Sequence, residues 1–205
     1  MSGFKAIIFD LGKVIFDINF DPVFQKWSVI SGKSLAELNE RKKLFDVVSN
    51  RFERNEISPT GFRAAICREL GVEMNNEVFD KTWCGIYLDL FAGTDELLST
   101  LKKNYRLVAL TNTNIIHEPV WRKKYEVTLR NFEKIFCSHE MGTRKPEKKS
   151  FRQVLDYLRV RPAQAVFLDD IQENTDGAVE IGLKSILVSS PLQMRSELKA
   201  LGISL

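Results

Sequence analysis

The chain has 205 residues, 44% hydrophobic and 28% charged, a balance typical of globular proteins and unlike that of disordered or fibrous ones. Its formal charge of +3 arises from 30 basic and 27 acidic residues with interspersed signs, which argues against a nucleic-acid partner, because such binders carry a broad basic stripe. No apolar run approaches the roughly 20 residues of a membrane span, and Asp10 falls too early for a secretory apolar region. A cytoplasmic protein with no membrane partner is therefore expected. Cys67, Cys84 and Cys137 show no CxxC spacing and read as reduced thiols.

In chain order, short apolar runs of strand type occur at Ala6–Phe9, Arg106–Leu110, Lys134–Cys137, Ala165–Leu168 and Ser185–Val188, as buried parallel strands require. Helical patterns separate them. Thr94–Lys103 is expected to open with a capping box at Thr94, and Lys148–Leu158 carries Phe151, Val154, Leu155 and Leu158 on one face. This alternation predicts an α/β fold, a Rossmann-like parallel sheet flanked by helices. Between Val14 and about Leu90 the pattern turns wholly helical, with Val23, Phe24 and Trp27, then Phe62, Ile66 and Leu70, then Val78, Phe79 and Trp83. Residues 1–16 with 91–205 are expected to form the α/β core domain and 17–90 a small helical cap, closing about hinges near Gly12–Asp17 and Leu90–Gly93. Trp27, Phe24 and Trp83 read as the core of that cap, with one aromatic face available to a cavity above Asp10.

Ligands of an open parallel sheet bind beyond the carboxyl ends of its strands. The residues there are Asp10, Thr111 and Asn112, Ser138, and Asp169 with Asp170, joined by Lys145 from a following loop. Asp10 can attack phosphorus to form an aspartyl-phosphate, which splits one hard displacement into two easier ones. Two anions repel, so the reaction needs cations: Lys145 supplies one, and Asp10 with Asp170 and a backbone carbonyl can hold Mg²⁺, which takes few carboxylates and keeps its waters. Thr111 offers a hydroxyl and Asn112 a backbone N–H at what reads as a helix start, both toward phosphate oxygens. Four strand ends thus each supply a group that one mechanism requires.

The segments FDLGKVIFD, LTNTN, MGTRKP and FLDDIQENTDGA, in that order, resemble the four motifs of the haloacid dehalogenase-like (HAD) hydrolase superfamily, in its subclass with a helical cap after the first motif. The resemblance implies a phosphatase in which Asp10 is nucleophile and metal ligand, Gly12 gives a carbonyl to the metal, and Asp170 binds Mg²⁺ with Asp169 in the inner or second shell. It further implies that Thr111 and Asn112 hold the phosphate, Lys145 balances charge and Asn174 orients the acidic loop. The expected partner is a small phosphorylated metabolite, best a sugar phosphate, and the expected assembly a monomer or weak homodimer.

One departure stands out. Most family phosphatases carry a second Asp two residues after the nucleophile as general acid and base, where this chain has Gly12. General acid–base help is worth about 10²–10⁴-fold, a small part of the acceleration available to phosphomonoester hydrolysis. The best substrates should then be those whose leaving group departs with little protonation, such as an anomeric sugar 1-phosphate. Asp17 is a weaker candidate for the missing acid than for a hinge or cap carboxylate. Two alternatives share the scaffold: a metal-independent dehalogenase, which has no use for Asp169 and Asp170 as a pair, and a non-catalytic phosphosugar-binding protein. His117 and His139 are given no role, since lone histidines at loop positions are more often structural or solvent-exposed than catalytic.

Overall fold

The protein is described by a computed structural model covering residues 3–205. Strand β1 (Ala6–Phe9) leads through a tight turn into β2 (Phe16–Ile18), and five helices follow: α1 (Asp21–Ser31), α2 (Leu35–Glu40), α3 (Lys42–Glu53), α4 (Pro59–Leu70) and α5 (Asn76–Trp83). The chain returns by β3 (Tyr87–Leu90) and then alternates α6 (Thr94–Leu101), β4 (Arg106–Thr111), α7 (Glu118–Lys124), α8 (Glu126–Leu129), β5 (Lys134–Cys137), α9 (Ser138–Met141), α10 (Lys148–Leu158), β6 (Ala165–Asp169), α11 (Gln172–Val179), β7 (Lys184–Leu187) and α12 (Pro191–Ala200).

Five strands form one parallel sheet in the order β5-β4-β1-β6-β7. Its central strands β1, β4 and β6 are almost wholly apolar and buried because both faces are covered. Ile7 and Phe9 point into one apolar cluster, with Leu97, Leu98, Trp121 and Leu198 from the helices, while Ala6 and Ile8 point into another with Phe151, Val154 and Leu158. This period-two division places β1 at the centre of both cores. A third cluster, around Trp27, Phe45, Phe52, Phe62 and Phe79, is built by the helices between β2 and β3. Trp27 and Trp83 stack there with centroids 5.7 Å apart and planes 2° from parallel.

Three local expectations are corrected. The segment from Val14 to Leu90 is not wholly helical: β2 and β3 pair antiparallel, Phe16 opposite Leu90 and Ile18 opposite Tyr87. Three- and four-residue strands are too short to display an alternation, so only the pairing reveals them. Thr94 does not open a capping box; the N-cap is Gly93, with φ +76°. The Thr94 hydroxyl is drawn back to the Phe91 carbonyl instead, at 2.7 Å. Finally, no helix starts at Asn112, which lies in a loop that runs to α7.

Candidate active site

The parallel register brings the strand ends level. Phe9 pairs with both Ala109 and Leu168, and the Asp10 N–H donates to the Leu168 carbonyl at 2.8 Å. Asp10, Thr111 and Asp169 therefore emerge at one edge, and Lys145 reaches them from the loop after α9. Lys145 is 1% exposed, and its Nζ lies 2.7 Å from Asp10 Oδ1 and 2.6 Å from Asp169 Oδ2. Burial alone would drive the ammonium's pKa down; its contacts with Asp10 and Asp169 more than reverse this and hold it above the ordinary lysine value.

The carboxylates are under the opposite pressure. Burial raises Asp10 to about 7, against the lowering effect of Lys145, and the nearby Asp169 adds to the rise. Asp170 is likewise raised, first by burial and then by Asp169. Oxygens of Asp10, Asp169 and Asp170 lie within 4.8 Å of one another, so three carboxylates face one ammonium. A hard divalent cation fits such an oxygen cluster.

Asp169 is the most constrained of the three. Besides Lys145 it accepts from the Ile171 N–H and from Asn174 Nδ2, both at 2.9 Å to Oδ1. Its oxygens thus serve the lysine and its own loop, which leaves Asp10 and Asp170 the freer to meet a cation. The Asn112 side chain, for which only a backbone role is expected from the sequence, clasps Lys145: its Oδ1 accepts from the Lys145 N–H at 2.9 Å and its Nδ2 donates to the Lys145 carbonyl at 3.0 Å. Ser138 turns inward, bonding both the N–H and the carbonyl of Thr113 at 2.9 Å, and so ties the loop after β4 to the end of β5.

Above these groups opens a cavity of about 390 Å³ lined by Asp10, Gly12, Thr111, Asn112, Lys145, Asp170 and Asn174 on the sheet side. Phe20, Phe24, Trp27 and Trp83 line it from the helices. Missed at the sequence level are the contributions of α3 and of Arg144. Arg144 Nε donates to Glu53 Oε2 at 2.8 Å, and Arg54 pairs with Glu147 at 2.5 Å, so the last residue of α3 and the residue just beyond it grip the loop that carries Lys145. Burial raises the Glu53 carboxyl, against the lowering effect of Arg144. Asp17 pairs with Lys13 at 2.6 Å and does not line the cavity. His117 is buried; its Nε2 meets the Trp83 carbonyl at 3.0 Å, its ring stacks on that indole, and burial lowers its pKa to about 4. His139 bonds Glu118 at 2.9 Å.

At the carboxyl edge of a parallel α/β sheet, Asp10 is thus faced by a buried Lys145 and a cluster of carboxylates. The chain belongs to the haloacid dehalogenase-like hydrolase family, whose model matches residues 4–182. It is 24% identical over 201 residues to the D-ribitol-5-phosphate phosphatase of Bacteroides thetaiotaomicron, covering 95% of this chain and 96% of that one. It is 28% identical over 206 residues to a sesquiterpene phosphatase of Aspergillus oryzae, covering 97% and 96%. Among solved structures, a haloacid dehalogenase family enzyme from Bacteroides thetaiotaomicron in complex with magnesium and inorganic phosphate superposes with a TM-score of 0.78 at 26% identity, over 92% of this chain and 96% of that one. Among the described residues no helix is long and apolar enough to cross a membrane.

Proposed function

We propose that this enzyme is a Mg²⁺-dependent phosphatase of small phosphorylated metabolites that works through an aspartyl-phosphate on Asp10. The observation that carries this reading is the Lys145 ammonium held at 2.7 Å from Asp10 and 2.6 Å from Asp169, with Asp170 completing a cluster of carboxylate oxygens. Asp10 Oδ attacks phosphorus in line as the bond to the leaving oxygen breaks, the departing alcohol taking its proton from water, and a second water then cleaves the aspartyl-phosphate to inorganic phosphate and the free carboxylate. Lys145 offsets the charge of nucleophile and phosphate, and Asn112 fixes that lysine by its backbone. Asp10, Asp170 and the Gly12 carbonyl would hold Mg²⁺, with Asp169 behind them; the metal supplies charge neutralisation at the phosphoryl group. Thr111 and Asn112 face the phosphate oxygens.

Sugar phosphates are the favoured substrates, and an anomeric sugar 1-phosphate the best of them, since no carboxylate stands at Gly12 to protonate a poor leaving group. A dehalogenase would leave Asp170 without a task. The test is hydrolysis of p-nitrophenyl phosphate and a panel of phosphorylated metabolites with Mg²⁺ and with a chelator, beside Asp10→Asn. Turnover that needs both Mg²⁺ and Asp10 is expected. Metal-independent halide release from 2-chloropropionate, or activity surviving Asp10→Asn, would end this reading. Faster hydrolysis of glucose 6-phosphate than of glucose 1-phosphate would end its anomeric part.

A further inference from the structure

Helix α3 presents two faces of opposite character. Phe45, Val48 and Phe52 pack into the aromatic cluster of the helices. Lys42, Asp46, Ser49, Asn50 and Glu53 recur at intervals of four, three, one and three residues, which is one side of a helix, and all five line the cavity above Asp10. From Lys42 to Glu53 the row is about 16 Å long, at the helical rise of about 1.5 Å per residue.

The row has a direction. Its inner end is Glu53, fixed by Arg144 at 2.8 Å, next in sequence to the lysine that holds Asp10. Its outer end is the exposed pair of Lys42 and Asp46, 3.0 Å apart. Between them stand Ser49 and Asn50, half-buried, and among the described residues neither side chain has a hydrogen-bond partner in the chain. A hydroxyl and an amide between them donate and accept, as a run of alcohol groups requires. The charges along the row cancel, Lys42 against Asp46 and Arg144 against Glu53, so nothing there favours a second phosphate. The same cavity is lined by the aromatic rings of Phe20, Phe24 and Trp83, which suit C–H groups. At about 390 Å³ the space is at the small end of ligand pockets.

We infer that this face of α3 reads the alcohol half of the substrate, that this half is a neutral polyhydroxylated chain or ring, and that Ser49 and Asn50 determine specificity for it. Its hydroxyl edge meets Ser49 and Asn50, the hydroxyl nearest the phosphate meets Glu53, and its C–H face rests on the aromatic wall. The inference depends on the phosphatase reading above.

The experiment compares kcat/KM, with Mg²⁺, on ribitol 5-phosphate, glucose 1-phosphate, pentyl phosphate and p-nitrophenyl phosphate for the parent, Ser49→Ala, Asn50→Ala and the double variant. The parent is expected to prefer at least one polyol phosphate over pentyl phosphate. The double variant should lose at least tenfold more on that substrate than on p-nitrophenyl phosphate, mainly through KM, and Ser49→Thr, which keeps the hydroxyl, should retain most of the preference. Thermal melts matching the parent exclude a folding defect; if Asn50→Ala melts early, Asn50→Asp carries the same comparison. A parent that prefers pentyl phosphate, or equal losses on both substrates, overturns the inference while leaving the phosphatase reading intact. A parent inactive on p-nitrophenyl phosphate and on the whole panel overturns both.

Discussion

Ile18 stands against Gly12: a Cβ on Gly12 would lie 3.0 Å from Ile18 Cδ1. The place where related phosphatases carry an acid is thus bordered by the tip of an aliphatic side chain, half-buried and facing the cavity. That tip can shift by a few tenths of an ångström, so Gly12→Asp is expected to fold. It should raise turnover of an unactivated alkyl phosphate, relative to p-nitrophenyl phosphate, by about 10²-fold or more, the lower end of general acid–base effects. An unchanged ratio in steady-state assays would mean that another group already delivers the proton.

Lys145 is the cation buried among three carboxylates. Lys145→Met removes it and leaves Asp10 and Asp169 facing each other uncompensated, and removing one partner of a buried pair costs about 3–5 kcal/mol. Urea unfolding should show that loss near neutral pH, partly recovered by saturating Mg²⁺, and turnover should vanish. Unaltered stability without metal would contradict the electrostatic account of the site.

Asn174 donates to Asp169 at 2.9 Å from a position 3% exposed. Partners that orient a ligand set commonly contribute about 10–100-fold to metal affinity. Asn174→Ala should therefore raise the Mg²⁺ concentration for half-maximal activity by that range while leaving turnover at saturating metal within a few-fold. A large fall in saturated turnover with unchanged metal dependence would count against an orienting role.

His117 links the helices above the sheet to the loop below them, through the Trp83 carbonyl and indole. Burial lowers its pKa from 6.5 to about 4, so between these values the unfolded chain binds the proton and the folded one does not. Stability must then rise with pH across that window, be fully present above it and be lost as pH falls through it. Relative to pH 7.5, this group should cost on the order of 2 kcal/mol at pH 5. Urea unfolding of the parent and of His117→Gln at the two values checks this: the difference should shrink in the variant.

The sequence showed the sheet because its central strands are buried on both faces and so are almost wholly apolar; Ala6–Phe9 and Lys134–Cys137 have in the structure the bounds read from their residues. It also exposed Asp10, Thr111, Asp169 and Asp170, since polar residues that end apolar runs are conspicuous, whereas Lys145, in a loop, stands out only because the chemistry at those strand ends needs a cation. Less was legible where pairing rather than composition decides. The β2–β3 ribbon is too short to show a period, and Thr94 followed a carbonyl offered by the preceding turn instead of capping its own helix.

What the sequence determined by itself, then, is the set of chemical groups at the sheet edge, because chain order and a parallel fold bring strand ends together whatever the loops do. What only the tertiary structure decided is which groups look at them from above. A polar stripe such as Lys42 to Glu53 has the same spacing whether it faces water or a cavity, and Asn112 has the same side chain whether it meets a phosphate or clasps the lysine. Direction in space, set by how α3 packs on its aromatic side, turns that stripe from an ordinary surface into a wall of the site.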